Sequence, residues 1–143
     1  MKKKLYIGCA LTNIPVDKRK ILLEMIVKIK KELSNHFEIL EFLGVDDLGT
    51  DRPFSPREIY NFDIKECLMK TDYFLAICDY PALGLGYEIA TAVEKRGIPV
   101  LALAHKDSKV SRCIVGIDHP NFHFMYYDSV EDIIEKTFKT LTN

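Results

Sequence analysis

Residues 72–104 read DYFLAICDYPALGLGYEIATAVEKRGIPVLALA. Two continuous apolar runs, Asp72 to Cys78 and Ile98 to Ala104, enclose a segment that turns through Pro81, enters a helix by way of Gly84 and Gly86, and stops at Gly97. An apolar run without polar alternation is what a strand covered on both faces requires, and such strands belong to parallel sheets. A glycine just past the last periodic residue supplies the left-handed stop of a helix. Strand, helix and strand in this order form a parallel unit with a right-handed crossover.

The same alternation continues outward on both sides. Leu5 to Ala10 is a short apolar run ending in small residues, suited to a central strand that stops where a ligand approaches. From Lys18 to Leu33, Ile21, Leu22, Met25, Ile26, Ile29 and Leu33 recur at helical spacing with lysines on the other face. Phe37 to Leu43 reads as a strand, Gly44 to Pro56 as an irregular loop, and Pro56 to Lys70 as a helix with its proline in the first turn. Phe122 to Tyr126 is a weaker last strand. Ser129 caps a final helix with Asp132 at the capping-box position and Val130, Ile133, Ile134, Phe138 and Leu141 as its buried stripe. The expectation is an α/β fold: a Rossmann-like (flavodoxin-like) three-layer sandwich around a parallel sheet of about five strands, with residues 1–143 as one domain. Ligands of such folds sit beyond the carboxyl ends of the strands, where strand order reverses. That directs attention to Gly8 to Asn13, to the loop from Gly44, and to Asp79 to Glu88.

Composition narrows the function. The chain has 143 residues, 48% of them hydrophobic, and Lys+Arg 20 against Asp+Glu 21 leave a net charge of -1. A domain of this size buries roughly 70% of the surface its unfolded chain exposes, enough for a core without staples. The basic runs at Lys2 to Lys4, Lys18 to Lys20 and Lys28 to Lys31 are offset by acids, which argues against a nucleic-acid partner. The apolar runs are too short to span a bilayer, and no signal-peptide core follows Lys2 to Lys4, so a cytoplasmic protein without a membrane partner is expected. Cys9, Cys67, Cys78 and Cys113 form no C-x-x-C pair. Pro120 interrupts the i, i+4 pair His119 and His123, so neither metal nor cofactor is expected.

Three side chains carry candidate chemistry. Glu88 is read as lying in the first turn of its helix, where the macrodipole favours the ionised form, and a carboxylate there acts as a nucleophile or stabilises a developing cation. Capping of the helix start is the alternative role. GLGYEI lacks the third glycine of a dinucleotide fingerprint. Asp63, projected at about 100° per residue, falls within the apolar arc of Ile59, Tyr60, Ile64, Cys67 and Leu68, and an acid there is costly unless paired or used. Tyr6, in the first strand, needs a partner for its hydroxyl, and Glu88 is a candidate.

A first strand written YIGCALT, a helix carrying IYNFDIKECLMKTD and then FLAICDYPALGLGYEIATAVEKRGIPVLAL together resemble the nucleoside 2-deoxyribosyltransferase superfamily, which includes deoxyribonucleoside 5'-monophosphate N-glycosidases. The resemblance covers nearly the whole chain, and its most specific part is P-x-L-G-x-G-Y-E. It implies a Rossmann-like sheet, a homo-oligomer (a dimer or larger), and cleavage of the N-glycosidic bond of a small-molecule nucleoside or nucleotide. Glu88 matches the family's nucleophile, Tyr6 the tyrosine that orients it, and Asp63 the sugar-site aspartate implicated in proton transfer or hydroxyl binding. Retaining glycoside cleavage proceeds in this way, through an oxocarbenium-like transition state flanked by a carboxylate. The residues matching the substrate-binding loops are Gly8, Ala10, Ala82, Gly84, Gly86 and Ser111.

The departures bear on substrate choice. In the nucleotide-hydrolysing branch, serines in the first-strand loop and in the P-S-L-G turn help hold the 5'-phosphate and an arginine follows in the first loop, where this chain has Ala10, Ala82 and Thr12. Only Ser111 matches a further phosphate-contacting serine, and Arg52, Arg57, Lys109 and Arg112 are the cations able to compensate. The transferase branch often has an aspartate at the position of Ala82. Hydrolase and transferase both stay open, beside a catalytically silent nucleoside-binding module that keeps the pocket alone. A phospho-acceptor receiver is disfavoured because Cys9, Ala10 and Leu11 replace the acidic pair it needs after the first strand.

Overall fold

The computed structural model describes residues 1–10, 14–42 and 53–142. Five parallel strands, β1 (Lys3–Cys9), β2 (Phe37–Leu40), β3 (Tyr73–Ile77), β4 (Val100–His105) and β5 (Phe122–Tyr127), form one sheet in the order β2-β1-β3-β4-β5. This is the flavodoxin-like order, with its reversal between β1 and β3. Helices α1 (Val16–Leu33) and α5 (Val130–Leu141) cover one face. The other face carries α2 (Pro56–Tyr60), which continues as a π-helical segment Asn61–Leu68, and α3 (Leu83–Ala90), which continues as a second π-helical segment Thr91–Arg96. A single turn, α4 (Arg112–Val115), precedes β5.

Strand alternation explains the layers. Leu5, Ile7, Leu75, Ile77, Leu101 and Leu103 point toward α1 and α5, where Leu22, Ile26, Ile29, Leu33 and Ile133 meet them. On the opposite side Tyr6, Phe74, Ala76, Ala102 and Ala104 face α3 and the first π segment. That second face narrows to small residues toward the carboxyl ends of the strands. At register Gly8 lies beside Ala76, leaving room for side chains from the helix above.

Several local expectations are refined. β2 ends at Leu40, whereas the sequence suggested a run to Leu43. Leu43, the loop through Arg52, and Leu11 to Asn13 lie outside the described residues. The helix expected over 56–70 is α-helical only to Tyr60. Beyond it the wider winding, with Met69 N–H donating to Ile64 C=O over 2.8 Å, changes which residues face inward. Ile64, Cys67 and Leu68 are buried, but Tyr60, placed on the inner arc by a uniform 100° projection, is exposed. The helix begins with a full capping box: Ser55 Oγ accepts from Glu58 N–H, and Glu58 Oε1 accepts from Ser55 N–H. At α5 only half of such a box forms. Ser129 Oγ accepts from Asp132 N–H at 3.1 Å, while the shorter Asp132 carboxylate bonds Asp128 N–H and Lys136 Nζ.

The end of the α3 helix sets the approach to β4. Gly97 has φ 63°, in the left-handed region, and a Cβ there would meet nothing within 4 Å. Replacing it tests backbone strain alone: Gly97→Ala is expected to lower stability by about 1–2 kcal/mol in urea denaturation, with the native fold retained.

Candidate active site

The side chain of Tyr6 leaves the middle of β1 on the α3 side of the sheet and is 1% exposed. Its hydroxyl needs an acceptor in an apolar layer, and Glu88 supplies one: Tyr6 Oη donates to Glu88 Oε2 at 2.5 Å. Phe74, the register partner of Tyr6 on β3, stacks on its ring with centroids 5.4 Å apart and fixes its direction. Two residues along β1, Gly8 makes space for the pair. A Cβ on Gly8 would stand 3.0 Å from Phe74 Cε1 and 3.3 Å from Glu88 Oε1. A glycine is therefore required here by close approach and not by backbone conformation.

Glu88 is set differently from the sequence expectation. The N-cap of α3 is Ala82, so Glu88 falls in the second helical turn and not the first. The unpaired N–H groups of the helix start lie a turn away, where the macrodipole acts mainly. Glu88 does not cap the helix, because its carboxylate faces Tyr6 and Gly8 on the sheet. Desolvation pushes its pKa up to about 7; the Tyr6 hydrogen bond works in the opposite direction, and the nearby Asp63 charge adds to the rise. Tyr6 itself is driven far above its ordinary range, first by burial, then by the Glu88 and Asp63 charges, so it remains a hydrogen-bond donor at all physiological pH.

Asp63 projects from the first π segment, partly buried, and its charge acts on both Tyr6 and Glu88. The structure thus gathers Tyr6, Asp63 and Glu88 from three elements far apart in sequence. Thiols around them are not competing nucleophiles: burial pushes Cys9, Cys67 and Cys78 up to about 12, leaving them protonated at neutral pH.

A cavity of about 650 Å³ opens between the turn into α3 and the chain after β4; Leu85 and Ile89 of α3 line it, while Tyr6, Asp63 and Glu88 do not. Ala82, Gly84 and Gly86 line one wall, and Lys109, Val110 and Ser111 the other. Ser111 is at the N-cap of α4 with no side-chain capping bond, and Ala82 likewise leaves the start of α3 uncapped. Lys109 is the one charged residue among the described residues lining the cavity. Of the residues matched to binding loops, Gly8 lies under the Glu88 carboxylate, whereas Ala10 is buried in the opposite layer with Ile14 and Leu22 and does not line the cavity. Arg52 and Thr12 lie outside the described residues.

The sequence reading missed Phe74, Val110 and Ile114 in this region, and it gave no separate role to Tyr80 within the stretch Asp79 to Glu88. Phe74 carries no signal that separates it from any other strand residue. Val110 and Ile114 follow a strand's carboxyl end, the one clue that could have marked them. Among the described residues no group of three or more His, Cys, Asp or Glu is arranged to hold a metal ion, and no helix is long and apolar enough to cross a membrane.

No protein-family model matches the chain. It is 40% identical over 107 residues to a Thermofilum pendens protein provisionally named 2'-deoxynucleoside 5'-phosphate N-hydrolase 1, covering 73% of each chain. It is 31% identical over 128 residues to the Danio rerio 5-hydroxymethyl-dUMP N-hydrolase, covering 85% of this chain and 87% of that one. In fold it is similar to the Clostridium botulinum CMP N-glycosidase, with TM-score 0.61 at 18% identity over 94% of this chain and 97% of the other. A conserved Enterococcus faecalis protein superposes with TM-score 0.64 at 16% identity, over 97% and 99% of the two chains.

The raised Glu88 pKa has a thermodynamic consequence. A carboxyl whose folded pKa lies near 7, above the unfolded value of 4.5, binds more protons in the folded state between those limits. Its contribution to stability is full below the unfolded value and is lost as pH rises through the folded one. Glu88→Gln removes the charge and keeps an acceptor for Tyr6. The variant is expected to exceed wild type in stability by about 1–3 kcal/mol at pH 8 and to approach it at pH 4.5, read by urea denaturation at both values.

Proposed function

The chain belongs to the family of 2'-deoxynucleoside 5'-phosphate N-hydrolases, enzymes that cleave the N-glycosidic bond of nucleotides, and we propose that it does so with Glu88 as nucleophile, Tyr6 as its orienting donor and Asp63 as the proton-transfer group. The observation that carries this reading is the Tyr6–Glu88 hydrogen bond over Gly8, which aims a partly desolvated carboxylate away from bulk water. With one proton shared between the two neighbouring carboxyl groups and resting on Asp63, ionised Glu88 attacks C1' as the C1'–N bond breaks, and the departing base takes that proton from Asp63. The positive charge that develops on the sugar is flanked by carboxylates, the arrangement that an oxocarbenium-like transition state favours. Water then adds to C1' and releases the Glu88 carboxylate, its proton returning to Asp63. The products are the free base and 2-deoxyribose 5-phosphate.

The 5'-phosphate is proposed to lie in the neighbouring cavity against Lys109, Ser111 and the uncapped start of α3. A dianion there meets one ammonium, one hydroxyl and backbone N–H groups, a donor set that substitutes for the serines absent at Ala10 and Ala82. Arg57 and Arg112 are not among the residues lining it. A homo-oligomer fits the exposed large side chains Leu83, which lines the cavity, and Tyr60 and Tyr87, which meet each other, and sedimentation of the wild-type protein decides it.

Chromatography of a panel of deoxynucleosides and their 5'-monophosphates, with and without an added acceptor base, tests the reaction. Base release from monophosphates is expected without an acceptor, with a loss of at least about a thousandfold in Glu88→Gln. Release that survives this substitution removes Glu88 as nucleophile, and release only in the presence of a second base makes the chain a transferase. Because Glu88 must be ionised to attack, kcat/KM is expected to fall about tenfold per pH unit below pH 7. Lys109→Ala is expected to raise KM for monophosphates by about tenfold or more and to leave KM for deoxynucleosides unchanged. Equal effects on both substrates would place the phosphate elsewhere.

A further inference from the structure

Asp79, the residue that leaves β3, is not in the reaction described above, yet its carboxylate accepts two hydrogen bonds at the carboxyl edge of the sheet. The last backbone hydrogen bond between β3 and β4 there runs from Cys78 N–H to Leu103 C=O, 2.7 Å long. One residue further on, the Asp79 side chain takes over the pairing. Its Oδ1 accepts from His105 N–H at 3.0 Å, at the end of β4, and its Oδ2 accepts from the Tyr127 hydroxyl, at the end of β5. One side chain therefore ties together the carboxyl ends of three adjacent strands.

The placement of this tie relative to the cavity gives it a role. One wall begins at Tyr80, immediately after Asp79, and the other begins at Lys109, four residues after His105. Beyond Cys78 no backbone ladder joins β3 to β4, since β3 ends at Ile77, while the chain leaving β4 stays paired to β5 through Lys106 N–H donating to Tyr127 C=O at 2.9 Å. The His105 ring packs edge-on to Tyr127 with centroids 5.6 Å apart, and its Nδ1 accepts from Asp107 N–H at 3.2 Å, so the second wall leaves the clamp along a fixed path. Tyr127 is itself anchored, 4% exposed, with its hydroxyl 3.5 Å from Met25 Sδ of α1. A carboxylate is the acceptor suited to this place, because each of its oxygens takes one donor from a different strand.

We propose that Asp79 is a positioning residue that fixes the separation of the two cavity walls, and so the fit of the substrate portion held between them, without touching the reacting atoms. The Tyr6 hydroxyl that holds Glu88 comes from β1, which the Asp79 carboxylate does not touch, so loosening the clamp changes substrate fit far more than the chemical step.

The kinetic arm of the test rests on the reaction proposed above, whereas amide exchange in the ligand-free protein does not. Hydrogen exchange read by mass spectrometry is expected to show faster exchange over 80–86 and 105–111 in Asp79→Ala, with β1 and α5 as in wild type. Asp79→Asn, which keeps an acceptor for His105 N–H, is expected to restore most of the protection over 105–111, and Tyr127→Phe to loosen chiefly the β5 side. In the kinetic arm, Asp79→Ala is expected to raise KM by about tenfold while kcat stays within about threefold of wild type. Wild-type exchange over 105–111 in Asp79→Ala overturns the proposal, as does a loss confined to kcat. If Asp79→Ala does not fold, Asp79→Asn and Tyr127→Phe decide the matter by the same two readings. If wild type cleaves no nucleotide, the reaction is wrong and the exchange arm alone decides the clamp.

Discussion

A carboxylate taken out of water has to be held by something, and in this chain the hydroxyl of Tyr6 is what holds Glu88. The rest of the site follows from that constraint. The donor must come from a buried strand, so the nucleophile candidate is tied to β1 although it belongs to α3. The strand must also be bare next to the donor, which is why Gly8 follows Tyr6 on the same face. Phe74 across the register locks the phenol ring, so the orientation of Glu88 is inherited from a stack of two strand side chains. The balance is deliberate in physical terms: desolvation alone would neutralise the acid, and the hydrogen bond pulls it back until protonated and ionised forms are both accessible near neutrality.

A second carboxylate at the same edge of the sheet is used in the opposite way. Asp79 receives two donors from neighbouring strands and is consumed by structure, whereas Glu88 has one donor and a nearby like charge from Asp63. Burial raises the pKa of both, but only the clamp has enough donors to oppose burial from two sides. Two partly buried acids within one ten-residue stretch thus differ in the hydrogen bonds they receive: two hold Asp79, and one holds the proposed nucleophile Glu88. The π-helical winding that follows α2 belongs to the same picture, since it shifts the inward-facing set of residues in the segment that carries Asp63.

The fold was legible in the sequence to a large extent. Uninterrupted apolar runs separated by helical periods can be satisfied only by parallel strands with helices on both faces, and Gly97 marked the end of a helix because its left-handed backbone excludes other residues cheaply. The alternation did not choose between a flavodoxin-like and a Rossmann-like strand order, and the packed sheet decides it. Less was legible in the helices. A fixed rotation per residue put Tyr60 inside and Glu88 in a first turn, and both placements failed because the winding widens after Tyr60 and α3 starts at Leu83.

What the sequence determined by itself was the set of polar groups that could not be left alone in an apolar layer: the Tyr6 phenol, the Asp63 acid on a buried helix arc and the Glu88 acid beside a glycine-rich turn. Hydrogen-bonding need is a local property, readable from residue type and pattern. Which of these groups answer one another was decided only by the tertiary structure. Tyr6 and Glu88 are 82 positions apart, and the Tyr127–Asp79 bond spans 48. Pairings at such separations depend on strand order and register, and these arise from packing of the whole sheet. The same reason explains why Asp79 looked like an ordinary loop acid in the sequence and proves to be a fastener across three strands in the fold.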